Sequence, residues 1–166
     1  MNSPVVWADT LTINATGTIV GACQISTGSN FPANADLSVN GSVAATALVN
    51  CSTPFKINAT SSNGALTRPG TASSGFTSSL VYTLAMSVPL DIGVPATASC
   101  TSDKLVSGQS SCALSPNNST GLSSGATGTA TNKTASLTAS WTTPSSPRLM
   151  AGAYADTLTV TIAAAP

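Results

Sequence analysis

The stretch AGAYADTLTVTI, residues 151–162, carries the clearest secondary-structure signal in the chain. From Leu158 onward apolar residues alternate with threonines, so that Leu158, Val160 and Ile162 share one face. Such alternation, rich in β-branched side chains, predicts a β-strand with one buried face. We therefore expect a strand from Ala153 to Ile162, and the fold depends on what this strand pairs with.

A second alternating stretch, LTINATGTIVGACQIS, covers residues 11–26. It places Leu11, Ile13, Ala15, Gly17 and Ile19 on one face at a period of two. A typical strand has about five or six residues, so this stretch is long enough for two segments in series.

Further strand signals lie between these two stretches. The pattern predicts strands over residues 45–60, 79–88 and 135–141, a tight turn at Asn63-Gly64, and a long exposed loop over the Ser/Gly/Thr/Asn-rich residues 115–134. No stretch combines a helical period with capping signals at both ends. The sequence therefore predicts an all-β fold, an antiparallel sandwich of immunoglobulin-like topology, with a jelly roll or small barrel as the alternative.

Composition limits the possible partners. The 166 residues suit one domain, and only 6% of them are charged, with five basic and five acidic side chains giving a net charge of zero. Without a basic patch, nucleic acid and anionic membrane surfaces are poor partners, and no apolar run is long enough for membrane insertion. So little charge repulsion between copies favours self-association.

The four cysteines are Cys23, Cys51, Cys100 and Cys112, an even number that allows three pairings. The chain has no His and no C-x-x-C, so zinc and haem sites lack their usual ligands. Two disulfides are expected, and they predict an oxidising compartment. Bonds from Cys23 to Cys51 and from Cys100 to Cys112 would close two short loops, although the sequence leaves the connectivity open.

A catalytic constellation is missing from the sequence. GLSSG, residues 121–125, matches the nucleophile elbow of hydrolases, but that motif needs a strand before it, a helix after it and a His base. The five Asp residues are scattered, so no acid/base pair is indicated. We expect no catalytic residue, metal or cofactor. One alternative function is a secreted monomeric β-sandwich that binds glycan or protein, with Trp7 or Trp141 as a stacking platform.

Several segments together resemble a known family. They are the cysteine contexts GACQIS and VNCSTPFKINA, the central LVYTLAM and the ending G-x-Y-x-D-T-hydrophobic-x-V. The ending is carried by Gly152, Tyr154, Asp156, Thr157, Leu158 and Val160. From about Leu11 to Ile162 the chain resembles the spore coat protein U-like domain, the pilin domain of archaic chaperone/usher fimbriae.

The resemblance implies an incomplete immunoglobulin-like sandwich that is completed by a donor strand from a neighbouring subunit. Residues 1–18 would be the N-terminal donor-strand extension, and residues 19–166 the pilin domain, whose first strand starts at Ile19. The donor residues would be Trp7, Leu11, Ile13, Ala15 and Gly17. The acceptor groove would be lined by Tyr154, Leu158, Val160 and Ile162.

The function implied by the resemblance is that of a structural pilin subunit. Its copies would polymerise head to tail by donor-strand exchange, with a periplasmic chaperone and an outer-membrane usher as partners during assembly. The product would be an extracellular fimbria on the bacterial surface that serves adhesion and biofilm formation.

Overall fold

A computed structural model of the chain describes residues 21–32 and 34–165, and the predicted all-β class is confirmed. The strands are β1 Cys23–Ser29, β2 Gly41–Cys51, β3 Phe55–Ser61, β4 Leu66–Thr67, β5 Phe76–Thr77, β6 Ser79–Leu80, β7 Thr83–Val88, β8 Ala96–Thr101, β9 Leu122–Ser123, β10 Ala130–Trp141, β11 Arg148–Leu149 and β12 Leu158–Ala164. One short 3-10 helix, Ser102–Lys104, accompanies them. In the part of the chain described, no helix is long and apolar enough to cross a membrane.

Two antiparallel sheets form the body of the molecule. The larger has the strand order β1-β2-β10-β7-β8 and the smaller the order β12-β3-β9. Two-residue strands add an antiparallel pair, β4 with β6, and a parallel pair, β5 with β11. Side chains of both larger sheets share one hydrophobic core, an arrangement compatible with a β-sandwich.

The core follows from the period-two patterns of the strands. In β3 every second residue, from Phe55 through Ile57 and Ala59 to Ser61, is buried. In β7 the same alternation buries Leu84, Met86 and Val88. Since successive side chains of a strand point to opposite faces, each strand places one apolar row inside and one polar row outside.

The two ends of the molecule can be named by residues. At the Cys23 end lie the start of β1, the end of β2 and the start of β10, where Cys51 pairs with both Cys23 and Ala130. At the Trp141 end, Trp141 of β10 pairs with Gly41, the first residue of β2. Strand β12 starts at the Trp141 end and runs toward the Cys23 end, antiparallel to β3.

The expected two disulfides are present. Cys23–Cys51 joins the directly opposed residues of β1 and β2, and Cys100–Cys112 joins β8 to the segment that follows the 3-10 helix. Disulfides of this kind persist in oxidising surroundings, which places the folded chain in such a compartment.

The edge of β3 that faces away from β12 is covered by residues 102–124. Backbone N–H groups of Ala59 and Ser61 donate to the carbonyls of Leu114 (2.7 Å) and Leu105 (2.8 Å). Near the start of β3, Ser124 exchanges hydrogen bonds with Phe55, and β9 pairs with the next two residues. The side chains of Leu105 and Leu114 are fully buried, so this segment both satisfies the strand edge and fills the core.

Several sequence predictions need correction. Residues 45–60 form two strands, β2 and β3, because the chain leaves one sheet at Cys51 and enters the other at Phe55. The predicted exposed loop 115–134 is wrong, since it contributes β9, the start of β10 and the buried Leu122, Ser124 and Ala130. The terminal strand begins later than predicted, at Leu158, and continues to Ala164.

A turn is present at Asn63-Gly64 as predicted, but the strands on either side of it, β3 and β4, do not pair with each other. Gly64 has a φ of +70°, a conformation that glycine adopts at little cost. A Cβ at this position would also lie 2.8 Å from Val106. The turn does not close a hairpin, because β4, which follows it, pairs with β6 and not with β3.

Candidate functional site

Strand β12 is paired along one side only. Its residues are in register with β3 from Leu158 opposite Ser61 to Ala164 opposite Phe55. Among residues 21–32 and 34–165, no strand pairs with the other edge of β12, and β1 likewise has β2 as its single neighbour. These two open edges belong to different sheets and face the same opening.

The opening leads into a large cavity of about 1490 Å³, which we call the β1/β12 cleft. Its walls include Ile25 of β1 and both Leu158 and Val160 of β12. Its floor is the inward row of β2 and β10, namely Val43, Ala45, Ala47, Leu137, Ala139 and Trp141. The cleft is therefore the interior of the sandwich, reached from the side on which β1 and β12 approach each other, with Cα atoms within 8 Å, but do not pair.

Small side chains make the floor deep. Ala45 and Ala47 of β2 lie beside Leu137 and Ala135 of β10, where larger residues would fill the space between the sheets. The floor is well covered at the Cys23 end, where Val49 is fully buried, and less covered toward the Trp141 end, where Val43 is only partly buried.

A second, smaller cavity of about 840 Å³ lies at the Cys23 end of the same opening. It is lined by Cys23 and Ile25 from one side and by Val160 and Ile162 from the other. The apolar side chains of β12 therefore pack partly against the core and partly border these two cavities.

All four residues predicted to line a groove border these cavities. Tyr154, Leu158 and Val160 line the large cavity and Ile162 the small one, and each is only partly buried. The Tyr154 hydroxyl lies within hydrogen-bonding distance of the Met150 carbonyl, at 2.8 Å. The floor was not predicted from the sequence, although the alternation of Val43, Ala45 and Ala47 was a usable signal.

Asp156 fixes the start of β12. Its carboxylate accepts hydrogen bonds from the hydroxyls of Ser61 (2.6 Å), Tyr82 (2.7 Å) and Ser62 (3.0 Å), and from the backbone N–H of Asn63 (3.1 Å). Burial, and next the neighbouring Asp156 carboxylate, raises the pKa of the Tyr82 hydroxyl well above its usual range. This polar cluster ties the start of β12 to the end of β3 and to Tyr82, the residue just before β7.

From the sequence, Asp156 was identified only as one position of the terminal motif, and its hydrogen bonds were not predicted. Its partners lie 74 to 95 residues away in the chain, so no local pattern could have identified them. Asp156 lies two residues before Leu158, so its hydrogen bonds anchor β12 at the start of the strand. They do not involve the backbone edge of β12 that borders the cleft.

Trp141 belongs to the interior. Its side chain is 8% exposed, and its indole Nε1 donates to the Val39 carbonyl at 2.9 Å. A Cβ on Gly41 would lie 2.8 Å from the ring, so glycine is required for this close approach. The small part of the ring that stays exposed lines the floor of the cleft, so Trp141 is not displayed on the outer surface for stacking on a sugar.

The predicted donor residues and the GLSSG match remain to be placed. Trp7, Leu11, Ile13, Ala15 and Gly17, and the domain boundary after residue 18, lie outside the described residues. Ser123, the central residue of the GLSSG match, lies in β9, where its Oγ accepts from the Gly125 N–H. In the described part of the chain, no three His, Cys, Asp or Glu side chains are grouped so as to hold a metal.

Comparison with known proteins returned no match: no protein family, no curated protein and no solved structure is significantly similar to this chain.

Proposed function

We propose that the chain is a structural pilin subunit, an incomplete immunoglobulin-like sandwich that polymerises by donor-strand exchange into a surface fimbria for adhesion and biofilm formation. The observation that carries the proposal is the β1/β12 cleft, an apolar interior bordered by two strand edges with which no strand in residues 21–32 and 34–165 pairs. An exposed apolar edge strand is an aggregation hazard, which a protein tolerates when a specific strand fills it.

The size of the cleft supports a peptide strand as its occupant. Its 1490 Å³ exceeds the roughly 300–1,000 Å³ of ordinary small-molecule pockets. It is bordered by Ile25 of β1 and by Leu158 and Val160 of β12, so a strand that enters between these edges would pair its backbone with them while alternate side chains point to the floor. A glycan-binding or protein-binding monomer would not need the bare edges.

The proposed occupant is the N-terminal stretch of another copy. In the sequence Leu11, Ile13 and Ala15 alternate with polar residues as a donor requires, and the spacing of Trp7 would place it on the same face of an extended strand. Burial of Trp7, Leu11 and Ile13 at about 1.5–3 kcal/mol each would contribute roughly 5–9 kcal/mol before backbone pairing is counted. A head-to-tail contact of this kind does not close on itself, so its product is a filament.

Before assembly the cleft needs another cover. In the proposal, a periplasmic chaperone fills it first and the outer-membrane usher exchanges that chaperone for the next subunit's donor. The two disulfides agree with assembly in an oxidising compartment, and the finished fimbria is extracellular.

The proposal is tested by removing the donor and returning it as a peptide. A chain lacking residues 1–18 should aggregate or melt at a lower temperature than the full chain, because its cleft stays empty. Addition of the peptide TLTINATGT, residues 10–18, should restore the melting temperature in a concentration-dependent way, because a ligand that binds the folded state stabilises it.

The matched control is the same peptide with Ile13→Asp, which should not stabilise the truncated chain. A truncated chain that remains a monomer with unchanged melting temperature, and that neither peptide affects, would contradict the proposal and favour a monomeric binding module.

A further inference from the structure

Large apolar side chains are exposed mainly at the two opposite ends of the described molecule. At the Cys23 end, Ile92 and Val94 are 89% and 81% exposed in the loop between β7 and β8. At the Trp141 end, Val39, Phe76 and Val81 are about half exposed. Leu48, in the middle of β2, is the remaining one among the described residues. Two apolar ends on one molecule suit an end-to-end contact between copies.

The loop that carries Ile92 and Val94 is held in place. Asp91 accepts hydrogen bonds from the Thr129 hydroxyl (2.8 Å) and the Thr131 N–H (3.1 Å), and it pairs with Lys133 at 3.2 Å. These bonds attach the loop to the start of β10 and neutralise its one acidic group. Ile92 and Val94 are thus presented to solvent by a fixed loop whose one acidic group is paired.

The N-terminal segment leaves the domain at this same end. Ala22 exchanges hydrogen bonds with Ser52, beside the Cys23–Cys51 disulfide, and Cys51 pairs with Ala130. Neighbouring strands lie about 4.8 Å apart, so the loop at Asp91 is roughly 10–15 Å from the point where the segment enters β1.

The direction of a donor strand fixes which ends of two subunits meet. This step rests on the proposed function. A donor that pairs antiparallel with β12 runs from the Cys23 end to the Trp141 end of the acceptor and leaves there. Residues 19–22 then lead to Cys23 of the donor subunit, a path of at most about 18 Å. The Cys23 end of one subunit must therefore lie close to the Trp141 end of the next.

We propose that Ile92 and Val94 of each subunit pack against the apolar surface around Val39 on the Trp141 end of the preceding subunit. The occupant of this docking surface is a second copy of the chain. The contact adds a second attachment beside the donor strand and limits the bending of the four-residue connection, residues 19–22.

The test uses the full chain with the photo-crosslinking residue p-benzoylphenylalanine in place of Ile92. After assembly and irradiation, position 92 should give covalent dimers, and mass spectrometry of the digest should place the crosslink near Val39. The same residue in place of Leu48, which is 48% exposed against 89% for Ile92 and lies in the middle of a sheet face, is the control and should give several-fold fewer dimers than this difference in exposure accounts for.

The outcomes separate the two proposals. Heat-labile oligomers in gels, with no more crosslinking from position 92 than from position 48, would overturn the end-to-end contact and leave donor-strand exchange intact. Crosslinks from position 92 to a site other than the Trp141 end would also overturn it. Absence of any oligomer from the unmodified chain would contradict the proposed function, and the contact with it.

Discussion

The two sides of β3 differ in how they are covered. On one side, residues 102–124 bond to the strand edge and bury Leu105 and Leu114, and Ile57 in β3 is fully buried. On the other side lies β12, whose Ile162 stands directly opposite Ile57 but is only partly buried. The two isoleucines have the same chemistry and are directly opposed in the sheet. Their difference teaches that burial here depends on which further segment reaches the strand, not on the strand's own pattern.

Substitution of the two isoleucines should give the largest difference in the free energy of unfolding between the two sides of β3. Ile57→Ala should lower the free energy of unfolding by about 2–5 kcal/mol, because it removes a fully packed side chain. Ile162→Ala should cost only about 1 kcal/mol while the cleft is empty, since its side chain is already partly in water. Urea unfolding of the monomeric full chain measures both. Equal losses would mean that the cleft is filled in the isolated chain.

The Cys100–Cys112 disulfide should stabilise the segment 102–124 that covers one edge of β3. Replacement of both cysteines by Ala should cost about 3 kcal/mol of stability, since a short loop of the unfolded chain is no longer constrained. Hydrogen exchange should accelerate at the amides of Ala59 and Ser61, whose acceptors lie in the stapled segment.

The Cys23–Cys51 pair provides the control for that exchange measurement. Its replacement by Ala should destabilise the chain by a similar amount, about 3–4 kcal/mol, because the loop is somewhat longer. It should not selectively expose Ala59 and Ser61. Selective exposure in both variants, or in neither, would show that residues 102–124 do not depend on their own disulfide.

Tyr82→Phe should have a smaller effect on the open side. It removes the hydroxyl that donates to Asp156 at 2.7 Å and should cost about 1.5–2 kcal/mol, within the range for hydrogen bonds to charged groups. The raised pKa of Tyr82 adds a pH dependence: above about pH 10 the unfolded chain loses this proton first, so stability falls as pH rises. Unfolding at pH 8 and pH 11 should show a smaller fall in Tyr82→Phe. Tyr154→Phe is the matched control.

The smallest effect concerns Asp91, which is exposed at the Cys23 end. Hydrogen bonds from Thr131 and Thr129 hold the pKa of its carboxyl well below its usual range. The stabilisation is present above the unfolded pKa of about 4 and is lost as pH falls below it. Melting temperatures at pH 7 and pH 3 should therefore differ less in Asp91→Asn than in the unmodified chain.

Asp36→Asn is the comparison for that measurement. The pKa of Asp36 is also lowered, but by bonds from Ser38 within its own turn, which can persist in the unfolded chain. Its pH dependence should stay close to that of the unmodified chain. A larger change in Asp36→Asn than in Asp91→Asn would contradict the role of Asp91 in fastening the loop.

Local pattern was sufficient for some of the architecture. Alternation in the sequence identified β12, β7 and the end of β10, because the face of a strand repeats every two residues regardless of its partner. The same reasoning failed for residues 115–134. There single apolar residues such as Leu122 and Ala130 are buried by contact with β3 and β2, and not by any repeat of their own.

The candidate site was predicted in part. Tyr154, Leu158, Val160 and Ile162 were named from the terminal motif, and all four border the cleft. The floor and the Asp156 cluster were missed, since they join segments distant in sequence, such as Tyr82 and Ser61 with Asp156.

The sequence by itself determined the all-β class, the apolar face of each regular strand and the use of disulfides in an oxidising compartment, because each follows from residue type and short-range spacing. Tertiary structure alone decided which cysteines pair, which segment covers β3 and that the far edge of β12 meets no strand among the described residues. These features depend on contacts between segments tens of residues apart, and the energy of such a contact is set by packing and hydrogen bonding that exist only once the chain has folded.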